Sequence, residues 1–313
     1  MGVLNRIMAR SATAPSLAIS EKAAPLNYML SSFRWHLDSR PPSKVILLHD
    51  FMSSSASWQL LLHQSLGRLP ASQVTPQLPL ELYAVDLRGH NHSCALPCPT
   101  DMDAYILACA ADVVLLRQQI LRSETRIVGI GFGALVACYA ALHSPENGID
   151  SLTLFVSSPS QMFSCDPSKY HLPSIVKDVP NTIKTFAELN QYLRKKIPNE
   201  VERALILSLV EQRGDAVAFR LSNDITTFNQ PLTGLSGDCK GVVFPKEVTV
   251  VHCGTEEFPQ VLKDRFMEHF PKAQFICFQG DRSTGLSGLY SQGPAVVRAV
   301  LGSMNMLEVI QPE

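Results

Sequence analysis

A surplus of either charge is missing: the chain of 313 residues carries 27 Lys and Arg against 28 Asp and Glu, a net charge of -1. That balance removes any general electrostatic argument for binding phosphate backbones or anionic lipid, so nucleic acid gets no support from charge. Charged residues are few, at 18%, while hydrophobic residues reach 46%, a proportion that excludes a solvated, disordered coil. The eight cysteines form no CxxC pair and do not cluster with histidine, which argues against a structural metal and against a short disulfide framework. With no apolar signal core at the N-terminus, a reducing compartment suits them better than secretion. No apolar run reaches the roughly 18 residues that suggest a membrane-spanning helix. Internal repeats and low-complexity tracts are absent as well.

What is present divides into three parts. Residues 1–25 hold Arg6 and Arg10, several Ser and Ala, and no acid before Glu21, the composition of a mitochondrial or plastid transit peptide, read here as a mitochondrial targeting extension. Residues 26–158 and 246–313 alternate short aliphatic runs with longer helical patterns, as expected where parallel strands are joined by crossover helices. Strands are predicted at 44–49, 80–86, 126–130, 151–156, 247–253 and 274–278, and helices at 57–66, 101–121, 134–143, 260–270 and 294–304. Residues 26–37 suit an antiparallel edge strand or hairpin. The stretch 159–245 breaks the alternation, is richer in charge and has a helical pattern at 201–212; it reads as a cap inserted over the carboxyl ends of the strands.

Three motifs, in order, carry a resemblance. His49-Asp50-Phe51-Met52-Ser53-Ser54 with Trp58 resembles an HGxxGS…W loop, and Asp86-Leu87-Arg88-Gly89-His90-Asn91-His92-Ser93 resembles a D-x-R-G-H-G-x-S turn. Gly129-Ile130-Gly131-Phe132-Gly133, between a strand and an Ala-rich helix, is similar to the nucleophile elbow G-x-S-x-G. Together they are the marks of the alpha/beta-hydrolase fold, which implies a mostly parallel central sheet flanked by helices, with a helical cap. Ser157-Ser158-Pro159 and Phe270-Pro271-Lys272-Ala273-Gln274 resemble signatures of a subgroup of small esterases that includes a mitochondrial member and bacterial relatives.

The resemblance also says where reactive groups belong. Acyl transfer in this family needs a serine on the elbow, a histidine to take its proton and a carboxylate to orient the histidine. The serine position is Gly131. The histidine belongs in the loop after the last strand, but residues 279–284 contain none, Ser283 stands in that loop, and no histidine follows His269. The acid position of the subgroup is Val156, and that of many other hydrolases matches Glu257, read here as a helix N-terminal carboxylate. The oxyanion hole should use the amides of Phe132 and Phe51, yet the glycine of the HG pair is Asp50, which opposes a developing anion unless it turns away to cap a turn or pair with Arg88.

Other residues take structural readings. Gly129 and Gly133 permit close packing, and the Asp86 and Arg88 side chains tie the loop. Ser53, Ser54 and Ser55 cap the helix that carries Trp58, Cys138 is buried, and Arg194-Lys195-Lys196 is a solvated basic face. His252 and His269 are read as structural, and His90 with His92 lacks a third metal ligand.

The expectation from these readings is a catalytically inactive, hydrolase-like protein serving as a structural or accessory subunit of a larger, mitochondrial assembly. It would need no cofactor or metal and would have other protein subunits as partners. The alternatives are a repurposed esterase-like or thioesterase-like enzyme using Asp50, Glu257 or His252, a small-molecule receptor under the cap and, for location, the cytoplasm.

Overall fold

The apolar runs form the strands of a mostly parallel sheet, buried against helices. A computed structural model of the chain describes residues 23–33, 39–66, 74–76, 79–143, 148–163, 172–228, 235, 239, 241–253, 257–278 and 307–309. Strand β1 (Tyr28–Phe33) is followed by β2 (Ser43–Leu48), helix α1 (Ser55–Leu66), β3 (Val74–Pro76) and β4 (Leu80–Val85). Next come α2 (Met102–Leu116), β5 (Thr125–Ile130), α3 (Phe132–Leu142) and β6 (Ile149–Val156). The insertion holds α4 (Leu172–Asp178), α5 (Phe186–Lys196), α6 (Glu200–Leu207), strands β7 (Val210–Arg213) and β8 (Ala216–Phe219), and the short α7 (Asn223–Thr226). The sheet resumes with β9 (Glu247–Cys253), α8 (Gln260–Met267) and β10 (Ala273–Phe278), and β11 (Leu307–Val309) pairs antiparallel with β3.

Among the described residues the main sheet has seven strands in the order β1-β4-β2-β5-β6-β9-β10. Only β1 runs antiparallel, at the edge beside β4, while β2, β5, β6, β9 and β10 join parallel. This is the alpha/beta-hydrolase arrangement expected from the motifs. The side chains of Val45, Ile46, Leu48, Ile127, Val128, Leu154 and Val250 are completely buried, and α2 and α3 pack on each other with α3 lying on β5 and β6. Asp101 starts α2 by accepting from the Ala104 amide at 2.8 Å.

Several boundaries differ from the sequence expectation. The pattern at 201–212 is two elements: α6 stops at Leu207, and Val210–Arg213 turns back on Ala216–Phe219 as an antiparallel hairpin. Gly214, at φ 58°, supplies the left-handed turn between them. Helix α8 ends at Met267, so His269 lies beyond it and its Nδ1 meets the Val242 carbonyl at 3.0 Å. Helix α2 and its π-wound continuation, Met102–Leu121, are long and apolar enough to cross a membrane although Asp103, Asp112 and Arg117 interrupt the run; most of this stretch is buried in the protein core. The targeting segment and the helix expected at 294–304 lie outside the described residues.

The insertion has a small core of its own, built on Leu189, Leu193, Ile197, Ile206 and Val210. Its chain also ties to the loop after β4: the Asn91 amide donates to the Arg220 carbonyl at 2.7 Å, and the Ser222 amide to the Gly89 carbonyl at 2.8 Å. The insertion therefore meets the carboxyl edge of the sheet at residues 89–91.

Candidate functional site

At the carboxyl end of β5 the chain must reverse direction into α3, and one residue takes the strain. Gly131 does so at φ 54°, ψ -112°, outside the regions open to most L residues. Its neighbours are constrained by space. A Cβ on Gly129 would stand 2.4 Å from the Gly133 carbonyl oxygen, and one on Gly133 would stand 2.6 Å from the His49 carbonyl oxygen. The elbow geometry is thus fully formed around a residue without a side chain.

The space that a side chain at 131 would use is occupied. A Cβ there would lie 2.0 Å from Asp50 Oδ1, and the Phe132 amide donates to that same oxygen at 2.5 Å. Asp50 thus lays its carboxylate over the elbow, at the first amide of α3, where the helix dipole favours an anion. Of the two alternatives for Asp50, capping a turn or pairing with Arg88, the structure shows the first; Arg88 binds Asp112, through Nε to Oδ2 at 2.9 Å and Nη2 to Oδ1 at 2.6 Å. Burial opposes the Arg88 charge, but the hydrogen bond and charge of Asp112 outweigh it and raise the guanidinium above its ordinary value. Asp86 also has other partners, accepting from the Ser55 amide at 2.8 Å and from Asn91 Nδ2 at 3.0 Å.

Two imidazoles hold the Asp50 loop. His49 Nε2 accepts from the Leu87 amide at 3.0 Å and its Nδ1 donates to the Asp50 carbonyl at 2.7 Å. His90 Nε2 accepts from the Met52 amide at 2.9 Å and its Nδ1 donates to the Arg88 carbonyl at 3.0 Å. Each backbone N–H selects one neutral tautomer. Met52, at φ 55°, is a left-handed non-glycine residue, and its bond to His90 helps keep it there. The rings meet edge to face with centroids 4.9 Å apart. Burial lowers His49 to about 4; burial and then the neighbouring His49 lower His90 to about 3. With both Nε2 atoms engaged, neither ring is placed to act as a base.

This arrangement predicts acid lability. Both histidines gain protons more readily in the unfolded chain, near pH 6.5, than in the folded one. Their stabilisation is therefore full above about pH 6.5 and drains away as pH falls towards 4, with a slope of up to about 3 kcal/mol per pH unit if both titrate together. Urea unfolding midpoints measured from pH 7.5 to 4 should fall steeply below 6.5, and His90→Asn should flatten that dependence.

Aromatic rings close the surroundings. Phe132 stacks on Tyr105 with centroids 5.6 Å apart and meets Phe51 at 5.5 Å, while Phe228 from the insertion lies 5.1 Å from Tyr105 and 6.4 Å from Phe51. Phe51, Met52, Phe132 and Asp50 are all buried. Cys138 is completely buried and its thiol is pushed well above its usual value by desolvation, which keeps it un-ionised. Val156 ends β6 in the core. Glu257 is exposed and precedes α8, whose cap is Pro259 and whose first turn has no acid, so it is not the helix N-terminal carboxylate expected. Ser283 lies outside the described residues. Among the described residues no group of three or more His, Cys, Asp or Glu could hold a metal ion.

A family model described as the alpha/beta hydrolase family matches residues 45–278. The chain belongs to that family. No curated protein matches it. Among solved structures, this alpha/beta hydrolase resembles a marine microorganism esterase at 16% identity, with a TM-score of 0.65, covering 88% of this chain and 99% of that one. It resembles an esterase from Mycobacterium tuberculosis at 18% identity and a TM-score of 0.56, covering 90% and 91%. It also resembles the thioesterase domain from the curacin biosynthetic pathway at 18% identity and a TM-score of 0.55, covering 89% and 99%. These findings overturn the expectation of an inactive structural subunit, because a hydrolase family with esterase and thioesterase neighbours fits an enzyme better. Asp50, in the loop after β2, covers the spot that the missing serine side chain leaves.

Proposed function

We propose that this alpha/beta hydrolase is a repurposed enzyme that cleaves carboxylic esters or thioesters, with the Asp50 carboxylate in place of the elbow serine. One observation carries the reading: Asp50 Oδ1 lies 2.0 Å from the Cβ position of residue 131, so a carboxylate stands where the nucleophile's side chain would begin. A carboxylate can attack an acyl carbon, expel an alkoxide or thiolate, and leave an acyl-aspartyl anhydride for water to hydrolyse. The esterase and thioesterase neighbours support the substrate class. Asp50 is almost fully buried, so substrate entry requires the aromatic wall to open, and Phe228 is its ring from the insertion.

The test uses the purified chain with p-nitrophenyl esters and acyl thioesters of increasing length. Hydrolysis is expected, without labelling by fluorophosphonate, and Asp50→Asn should lower it on the order of 10⁴-fold or more. Single turnover in ¹⁸O-water should place one labelled oxygen in the product acid, because water attacks the acyl carbon of the anhydride, and none in the Asp50 carboxylate. Failure of every ester and thioester to turn over, or full activity in Asp50→Asn, would refute the reading.

A further inference from the structure

The sheet register identifies a second group at the same edge. Ile130 is paired with Phe155, and the ladder runs one step further because the Gly131 amide donates to the Phe155 carbonyl at 2.8 Å. Gly131 therefore stands level with Val156, and Val156 pairs with His252. Strand alternation agrees: Ile127, Leu152, Leu154, Val156, Val248 and Val250 all belong to one core cluster, and Gly131 and His252 follow in the same parity on β5 and β9. Two strand spacings, about 10 Å, separate Gly131 from His252 across β6.

His252 has an unusual environment for a core histidine. It is 4% exposed, its ring meets Phe258 edge-on with centroids 6.3 Å apart, and its Nδ1 is buried with no hydrogen-bond partner among the described residues. Buried polar nitrogens are ordinarily bonded, and leaving one unmade costs stability. His49 and His90 illustrate the usual outcome, with both ring nitrogens of each engaged. The unengaged nitrogen of His252 lies at the carboxyl edge of the sheet, where open parallel sheets bind ligands. Val156, between it and the elbow, supplies no competing polar group.

We propose that His252 is the proton-transfer residue of this site; the inference rests on Asp50 as the reacting carboxylate. In the first half-reaction an Asp50 oxygen bonds to the acyl carbon and the bond to the alkoxide or thiolate breaks. The leaving group collects a proton held on His252. In the second half, a water oxygen bonds to the acyl carbon of the anhydride, the water proton passes to His252, and the Asp50 carboxylate departs as the free acid is released. The proton count returns to its starting value, and the net reaction is hydrolysis.

The test compares His252→Gln, His252→Gly and Asp50→Asn with the wild type in the same ester and thioester assay, after thermal unfolding has shown which variants remain folded. His252→Gln is expected to lower kcat on the order of 10²-fold or more, with little change in KM. Imidazole added to His252→Gly should restore part of the rate, which a packing role would not allow. Hydroxylamine should release more acyl hydroxamate from acylated Asp50 in His252→Gln than in the wild type. Unchanged kcat in His252→Gln, or a loss that imidazole does not restore and without acyl accumulation, overturns the role of His252 and leaves that of Asp50 standing. Full activity in Asp50→Asn with loss in His252→Gln overturns the Asp50 reading instead. No turnover by the wild type overturns both.

Discussion

Gly131→Ser, the change that would write the family's serine back into the elbow, is expected to destabilise the protein by about 3–5 kcal/mol and not to create a reactive serine. Two effects add. The residue would have to hold φ 54°, ψ -112°, and its Cβ would fall 2.0 Å from Asp50 Oδ1 and 2.4 Å from Asp50 Cγ. Asp50 cannot retreat without giving up its bond to the Phe132 amide, and His49, which holds the Asp50 carbonyl, is itself completely buried. Removing the obstruction tests the cause directly: Asp50→Gly combined with Gly131→Ser should recover the part of the loss due to the overlap and leave the part due to backbone strain. Thermal unfolding of the two single variants and the double variant measures it. Additive destabilisation, with no recovery in the double variant, would show that the carboxylate and the elbow residue do not compete for one space.

Asp112→Ala is expected to cost about 3–5 kcal/mol, because it strands a buried guanidinium. Arg88 and Asp112 have only 3% and 0% of their side chains exposed. Their bidentate contact is completed by the Ala24 amide, which donates to Asp112 Oδ1 at 2.6 Å, and by Arg88 Nη1, which donates to the Pro97 carbonyl at 2.8 Å. Losing one partner leaves the other charged in a medium that solvates it poorly, whereas replacing both by apolar side chains removes the uncompensated charge. Arg88→Met with Asp112→Leu should therefore be more stable than Asp112→Ala in urea unfolding. The effect should reach the site as well, because the Arg88 carbonyl accepts from both Tyr105 Oη and His90 Nδ1, and His90 holds the Met52 amide. A double variant no more stable than Asp112→Ala would show that packing around the pair, rather than its charge, sets the cost.

The parallel strands were legible because their signal is local. Runs such as residues 44–48, 126–130 and 247–253 are apolar over the length of a strand, and the intervening helical patterns are long enough to cross back. The elbow was legible too, since glycines at 129, 131 and 133 mark a turn that tolerates neither bulk nor ordinary φ. Local pattern failed at residues 201–212, where a helical spacing conceals a hairpin. There Gly214 and pairing between Val210 and Phe219 outweigh propensity. It failed again at Glu257, which stands too far before α8 to serve its first turn.

By itself, the order of residues determined the hydrolase sheet, the antiparallel edge and the lack of a serine at position 131, since each depends on neighbours a few residues apart. Tertiary structure alone decided that Asp50 covers the elbow 82 residues away from Phe132, whose amide it accepts. It also decided that Arg88 takes Asp112 rather than Asp50 or Asp86, and that His252 reaches the level of Gly131 through β6. The physical reason is that a side chain's partner is set by which strands stand side by side and by the space left between them, and sequence spacing records neither.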